Sequence, residues 1–171
     1  MKITFLAIIF ALPCLGQTVR WYKGNTHAHT TLCGHADSPP STVAQWYHDH
    51  GYHFAILSEH NKFIDPKTVK LKGEIRDDFL LLPGEEVTGR KTVHSTAMNV
   101  NRLVPWHFDH QHRSKIIQKH VDETIKAGGA TILNHPNFGW AVQAKDMLPV
   151  KKLYLFELYN GHPSVRNFGD H

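Results

Sequence analysis

Asn25-Thr26-His27-Ala28-His29-Thr30-Thr31-Leu32-Cys33-Gly34-His35 is the stretch on which the reading of this chain turns. Alternate side chains of an extended segment share a face, so His27 and His29 can reach one ion together. Cys33 and Gly34 favour a turn that swings His35 back toward a neighbouring ion. Imidazole is a ligand for divalent transition metals, and a strand holds two such rings rigidly. The pattern therefore reads as the opening of a polynuclear metal site. Three polar histidines on a surface loop would look the same locally, and the rest of the chain decides between the two.

Upstream of this stretch, Lys2 supplies a short positive segment and Ile3 to Leu12 is almost wholly apolar. Pro13 breaks the run, and Cys14-Leu15-Gly16 places small residues where a signal peptidase cuts. The run is shorter than the roughly 18–20 residues that span a bilayer. Residues 1–16 are thus expected to be a cleaved export signal, with Gln17 as the mature N-terminus and no membrane anchor afterwards. Pro13 is a poor neighbour for a lipid-modified Cys14, which sets the lipoprotein alternative aside. The expected location is periplasmic or secreted.

Residues 17–171 then have the length of one domain with a substantial core. Of the two cysteines only Cys33 survives cleavage, so no internal disulfide can form. The net charge of +4 is spread along the chain and reads as a solvated surface. With export, that argues against nucleic acid as a partner and for a small-molecule substrate. Fifteen histidines are the compositional anomaly.

Downstream, the punctuation alternates strands and helices, with no repeat and no low-complexity segment. Trp21 to Thr30 reads as a strand, and Pro39-Pro40-Ser41 opens a helix through His50, with Ser41 as N-cap and Gly51 as its stop. Phe54-Ala55-Ile56-Leu57 is a short apolar run suited to a strand buried on both faces. Further strands are expected over Asp78 to Leu82, Val93 to Val100, Ala130 to Leu133 and Leu153 to Leu158. A helix from Arg113 to Ala127 carries Ile116, Ile117, Val121 and Ile125 at helical spacing, and a short one covers Val142 to Leu148. Such alternation predicts an α/β fold with a parallel sheet or barrel and its chemistry at the carboxyl ends of the strands.

Metal-capable residues fall at those ends. His27 and His29 close the first strand, Ser58-Glu59-His60 the second, and Gly84-Glu85-Glu86 the third. His94 lies in the fourth and Asn134-His135-Pro136 ends the fifth.

In this order the motifs resemble those of the PHP family, the polymerase and histidinol phosphatase domains. His27, His29 and His35 match the family's opening His-x-His with a later His. Ser58-Glu59-His60 matches its Thr/Ser-Asp/Glu-His, Gly84-Glu85-Glu86 its Gly-x-Glu, His94 a later strand His, and His135-Pro136 its His-Pro. Trp21-Tyr22-Lys23-Gly24-Asn25 and Glu157-Leu158-Tyr159-Asn160-Gly161 look like the exported, hydrolase-type members. The resemblance implies a distorted (β/α)7-type barrel and a metal-dependent hydrolase, a phosphoesterase first and a carbamate, amide or ester hydrolase second. A degenerate, non-catalytic metal-binding protein is the reading from another class.

The resemblance also assigns roles. Glu86, chosen over Glu85, bridges a metal held by His27 and His29 to a second held by His94 and His135. His35 and His60 hold a third metal or complete the cluster. Two or three divalent ions (zinc, manganese or iron) would activate hydroxide at the di- or trinuclear site. Glu59 and Asn134 stand beside ligands, where they orient them, shuttle a proton or make ordinary hydrogen bonds. Glu59 and Glu86 are the carboxylates expected to take part in catalysis. The family's closing Asp-x-His is not reproduced by Gly169-Asp170-His171, so the chain is expected to lack the C-terminal part of the barrel. Lys62, Arg90, Lys91 and Arg113 are the candidates for neutralising a phosphate. His48, His50, His53, His107, His110, His112 and His120 are expected to be structural or solvent-facing, and Cys33 is left out of the metal set. His162 stands at a strand end, where facing the site and facing away are equally open.

Overall fold

The computed structural model describes residues 19–107 and 112–169. The expected export signal over 1–16, Asp109 and His110 of the polar linker, and the terminal Asp170-His171 lie outside the described residues.

The first half of the fold follows the expected alternation. Strand β1 covers Gly24–Ala28, helix α1 Pro40–Asp49, strand β2 Phe54–Leu57 and strand β3 Leu80–Leu82. These strands form one parallel sheet in the order β1-β2-β3. Helix α1 starts one residue before the expected cap: Pro40 is its first residue, Pro39 its N-cap, and Ser41 lies inside it. The ring of Pro40 presets the helical φ at a position whose N–H has no partner anyway. Gly51 ends the helix region at a φ of +71°, a conformation in which a side chain would be strained. Ala28, Leu57 and Ile64 form the buried apolar centre here, with Val43 and Tyr47 of α1 packed against it.

After β3 the alternation stops. Strand β4 runs over Gly84–Thr88, β5 over His94–Met98, β6 over Ala130–Leu133 and β7 over Leu155–Phe156, with helix α2 at Arg113–Lys126 and the short α3 at Ala144–Met147. These four strands form a second sheet in which β4–β5 and β5–β6 are antiparallel and only β6–β7 is parallel. The described residues thus make a mixed α/β fold of two sheets, and the uniformly parallel arrangement expected from the sequence does not hold. Residues 89–93 between β4 and β5 are too few for the crossover that parallel strands need, so a hairpin forms. Strand β4 itself departs from expectation: Glu85 and Glu86 lie inside a strand of their own, whereas the sequence reading puts them at the end of the third strand.

The two sheets are stitched together where β2 ends. Backbone N–H of Glu86 donates to Glu59 O at 3.0 Å, and that of Asn61 to Glu86 O at 2.9 Å. Helix α2 packs on β5 and β6. Its buried face is Ile116, Ile117, His120, Val121 and Thr124, while Ile125 is exposed. Strands β1 and β7 are shorter than expected, and Trp21, Tyr22, Leu155, Phe156 and Leu158 are all exposed. Among the described residues, no helix is long and apolar enough to cross a membrane.

Candidate metal centre

Strand pleating sends neighbouring side chains to opposite faces, and β4 applies this to two adjacent glutamates. Glu86, fully buried, points into a ring of imidazoles. Its Oε1 lies 3.3 Å from His27 Nε2, 3.3 Å from His135 Nε2 and 3.5 Å from His94 Nδ1. Its Oε2 lies 2.8 Å from His60 Nδ1 and 3.4 Å from His29 Nε2. The two oxygens of one carboxylate therefore serve two sets of ligands. Glu85 points the other way, into an apolar cluster that includes Val87, Ala97, Val100 and Val104, where it accepts a hydrogen bond from Val104 N–H.

Backbone continuity explains how distant segments converge. His27 lies in β1 with His29 just beyond it, His60 lies past β2, His94 opens β5 and His135 lies past β6. His135 adopts a φ of +26°, a strained value for a residue with a β-carbon, and its N–H donates to Glu157 Oε2 at 2.7 Å. Asn134 fastens the centre from below. Its Nδ2 donates to Glu86 Oε1 at 2.8 Å, while its Oδ1 accepts from Thr96 N–H and Oγ1, each at 3.1 Å.

Three of the residues weighed for the site sit differently. His35 is exposed and reaches the cluster only through ring contacts, 4.4 Å from His60 and 5.5 Å from His29 between centroids. Glu59 is fully buried and its carboxylate groups with His29 and Cys33. Cys33, left out of the expected metal set, has its Sγ 3.3 Å from His29 Nδ1. Burial, and then the Glu59 carboxylate beside it, push the Cys33 thiol up.

Glu157 belongs to the site although sequence reasoning does not select it. Its Oε1 lies 2.7 Å from His27 Nδ1, and its Oε2 also accepts from Asn160 Nδ2 at 3.0 Å. A signal for it exists, because Glu157 directly follows β7, as His29, His60 and His135 lie just past their strands. His120, expected on the surface, is instead fully buried, with Nδ1 3.0 Å from Ser95 Oγ. It occupies the position four residues after Ile116 and three after Ile117, on the buried stripe of α2. Gly89 makes room for it, since a β-carbon there would lie 2.8 Å from His120 Nε2.

The other histidines are structural or peripheral. His48 Nε2 accepts from Arg76 N–H and its Nδ1 pairs with Asp49; His53 Nδ1 accepts from Lys23 N–H; the His50 ring stacks on Trp46 at 3.9 Å. His107 leans on Trp106, and His112 is exposed at the start of α2. His162 lines the cleft over the centre, beside Phe138 at 5.5 Å.

The electrostatics follow from this packing. Burial disfavours the charged form of Glu86, but the surrounding imidazoles, led by His135, His27 and His60, hold its carboxyl far below the usual range. Burial likewise opposes charge on His27, yet its hydrogen bonds to Glu157 and Glu86 raise it to about 9. His29, desolvated and lacking a hydrogen bond of that kind to a carboxylate, is lowered to about 4. Burial alone pushes Glu85 up to about 7, against the pull of the Val104 N–H.

The donor set fits divalent cations. His27, Glu86 and His135 form one group of ligand atoms, and His29, His60 and Glu86 another, the atoms of each lying within 4.8 Å of one another. His135 Nδ1 is buried without a hydrogen-bond partner, and Glu86 Oε2 has only imidazole nitrogens facing it. His27 Nε2 and His29 Nε2 converge to 3.1 Å, so their lone pairs need a proton or a cation between them. Above lies a cleft of about 810 Å³, lined further by Tyr47, Tyr52, Phe138, Tyr159, Asn160 and His162. Among the described residues neither Lys nor Arg lines it, and two of the expected phosphate-neutralising residues are engaged elsewhere: Lys62 Nζ donates to Leu32 O and Arg113 Nε to Lys91 O.

No family model matches the chain, and no curated protein matches it either. Among solved structures it is similar to a two-domain protein from Bacteroides vulgatus ATCC 8482 containing a predicted PHP-like metal-dependent phosphoesterase, with 19% sequence identity and a TM-score of 0.47. The similarity covers 74% of this chain and 38% of that one, so the chain spans well under half the length of the protein it matches.

Proposed function

We propose that the chain is a metal-dependent hydrolase of small molecules, acting as a phosphoesterase, with two or three divalent ions held around Glu86. The observation that carries this reading is the division of the Glu86 carboxylate, Oε1 toward His27, His94 and His135 and Oε2 toward His29 and His60. A carboxylate shared between two ligand sets suits a pair of ions, and its imidazole surroundings favour zinc, iron or manganese over calcium. When bound, such ions supply Lewis acidity and activate water at neutral pH.

The chain's own residues do the positioning. Glu157 accepts the Nδ1 proton of His27 and so turns the lone pair of Nε2 toward the centre. Asn134 orients the Glu86 carboxylate, and Glu157 also clamps the strained backbone of His135. Phe138, Tyr159 and His162 stand over the centre and would flank the organic part of a substrate.

Hydrolysis of a carbamate, amide or ester is the second reading. A described cleft lining without Lys or Arg favours it, since phosphate charge would fall to the metal ions alone. The test is release of phosphate or nitrophenol from phosphomonoesters, phosphodiesters and carboxyl esters, before and after chelation and with manganese or zinc restored. Phosphoester turnover lost on chelation and regained with metal is the expected result. Turnover of acyl esters alone would promote the second reading, and failure to take up metal would sink both.

A further inference from the structure

We infer that Cys33, His29 and Glu59 form a separate thiolate-containing cation site on the flank of the Glu86 centre, suited to a soft divalent ion such as zinc or cadmium. The ligand atoms of these three residues lie within 4.8 Å of one another. The 3.3 Å between Cys33 Sγ and His29 Nδ1 is close to the separation that bond lengths of about 2.3 and 2.0 Å impose at a near-tetrahedral angle, roughly 3.5 Å.

A simple hydrogen bond between Cys33 and His29 would account for that one distance and nothing more. It leaves Glu59, which is fully buried, has no conventional N–H or O–H donor on either carboxylate oxygen, and has the Cys33 thiol beside it. Buried carboxylate oxygens without conventional donors are costly in an interior, and the thiol beside them offers only one weak donor. A divalent ion resolves all three groups together: one thiolate and one carboxylate balance its two charges, and the imidazole nitrogen supplies the third ligand. The half-buried position of Cys33, on the turn after β1, leaves a route from solvent and a fourth position for water.

His29 joins this site to the main centre. Its Nδ1 faces Cys33, while its Nε2 faces His27 Nε2 and Glu86 Oε2. As the ion binds, the S–H bond breaks, the proton passes to solvent and the sulfur–metal bond forms. With ions on both nitrogens the ring also gives up its N–H proton and bridges the two sites as an imidazolate.

The experiment is titration of the chelator-stripped full chain with cobalt(II) and, separately, cadmium(II). Absorption is followed in the ultraviolet, where thiolate-to-metal charge transfer appears. Wild type should show the band and bind one equivalent more than Cys33→Ser. That variant should lose the band and keep its other equivalents, with an unchanged thermal unfolding curve. Glu59→Gln should keep the band and need at least tenfold more metal to reach it. The inference is overturned if wild type shows no band at saturation, or if wild type and Cys33→Ser bind the same number of ions. The two readings fail separately: a band in wild type with a single equivalent bound upholds the thiolate site and removes the Glu86 centre.

Discussion

Two neighbouring glutamates on β4 divide the molecule into two chemistries. Both are fully buried, on opposite faces of the same strand. Glu86 meets five imidazoles and the Asn134 amide, and those groups hold it ionised. Glu85 meets Val87, Val100 and Val104, with one backbone N–H as its partner, and burial raises it to about 7. Identical side chains, one residue apart, thus have opposite preferences for charge. The difference teaches that burial alone does not make a carboxylate into a ligand; convergent donors around it do.

The largest test of this contrast exchanges each glutamate for glutamine. Glu86→Gln should weaken binding of manganese or zinc by at least about 100-fold, beyond the roughly 10–100-fold typical of groups that only support ligands. Glu85→Gln should leave affinity within about tenfold. Calorimetric titration of the two variants measures both, and equal losses would erase the distinction between the faces.

Next in size is the pH dependence of stability on the Glu85 face. Its folded pKa of about 7 lies above the ordinary 4.5, so the folded state holds the extra proton between these values. Stability contributed by the neutral form is present below about 4.5 and declines as pH rises toward 7. The separation of the two values corresponds to about 3 kcal/mol. Urea unfolding of the metal-free protein at about pH 5 and pH 8 should show part of this loss, and Glu85→Gln should flatten it. A variant with the wild-type slope would mean that Glu85 ionises freely.

The smallest effect separates His120 from the histidines of the centre. Burial, and then the nearby His94, lower it from 6.5 to about 3, so it stays neutral in the fold where the unfolded chain takes a proton. Its contribution is present above about 6.5 and is lost as pH falls toward 3, on the order of 2 kcal/mol by pH 5. His120→Gln should shed that acid sensitivity while leaving metal content unchanged. A change in metal content would move His120 into the centre.

Much of this arrangement is legible in the sequence. Apolar spacing marks helix α2 to within a residue or two, and four consecutive apolar residues mark β2. The motifs and the family they resemble select His27, His29, His35, His60, Glu86, His94 and His135; the fold brings six of these together around Glu86 and leaves His35 exposed at the edge. Strand β4 is hidden because Gly-Glu-Glu is a poor strand signal, and only pairing with β5 and with the end of β2 makes it one. His120 is hidden because a polar residue on an apolar stripe looks like an interruption of it.

By itself, then, the sequence determined the local elements and the order in which metal-capable residues arrive, because helical and strand periodicities are set within a few residues. The tertiary structure decided what those periods cannot carry: the switch from a parallel to an antiparallel sheet, the opposite fates of Glu85 and Glu86, the approach of Cys33 and Glu59 to one edge of His29, and the contact between His27 and Glu157. That last pair lies 130 residues apart in the chain and 2.7 Å apart in space. Such a contact exists only once two sheets have packed, since no local preference of either residue specifies the other.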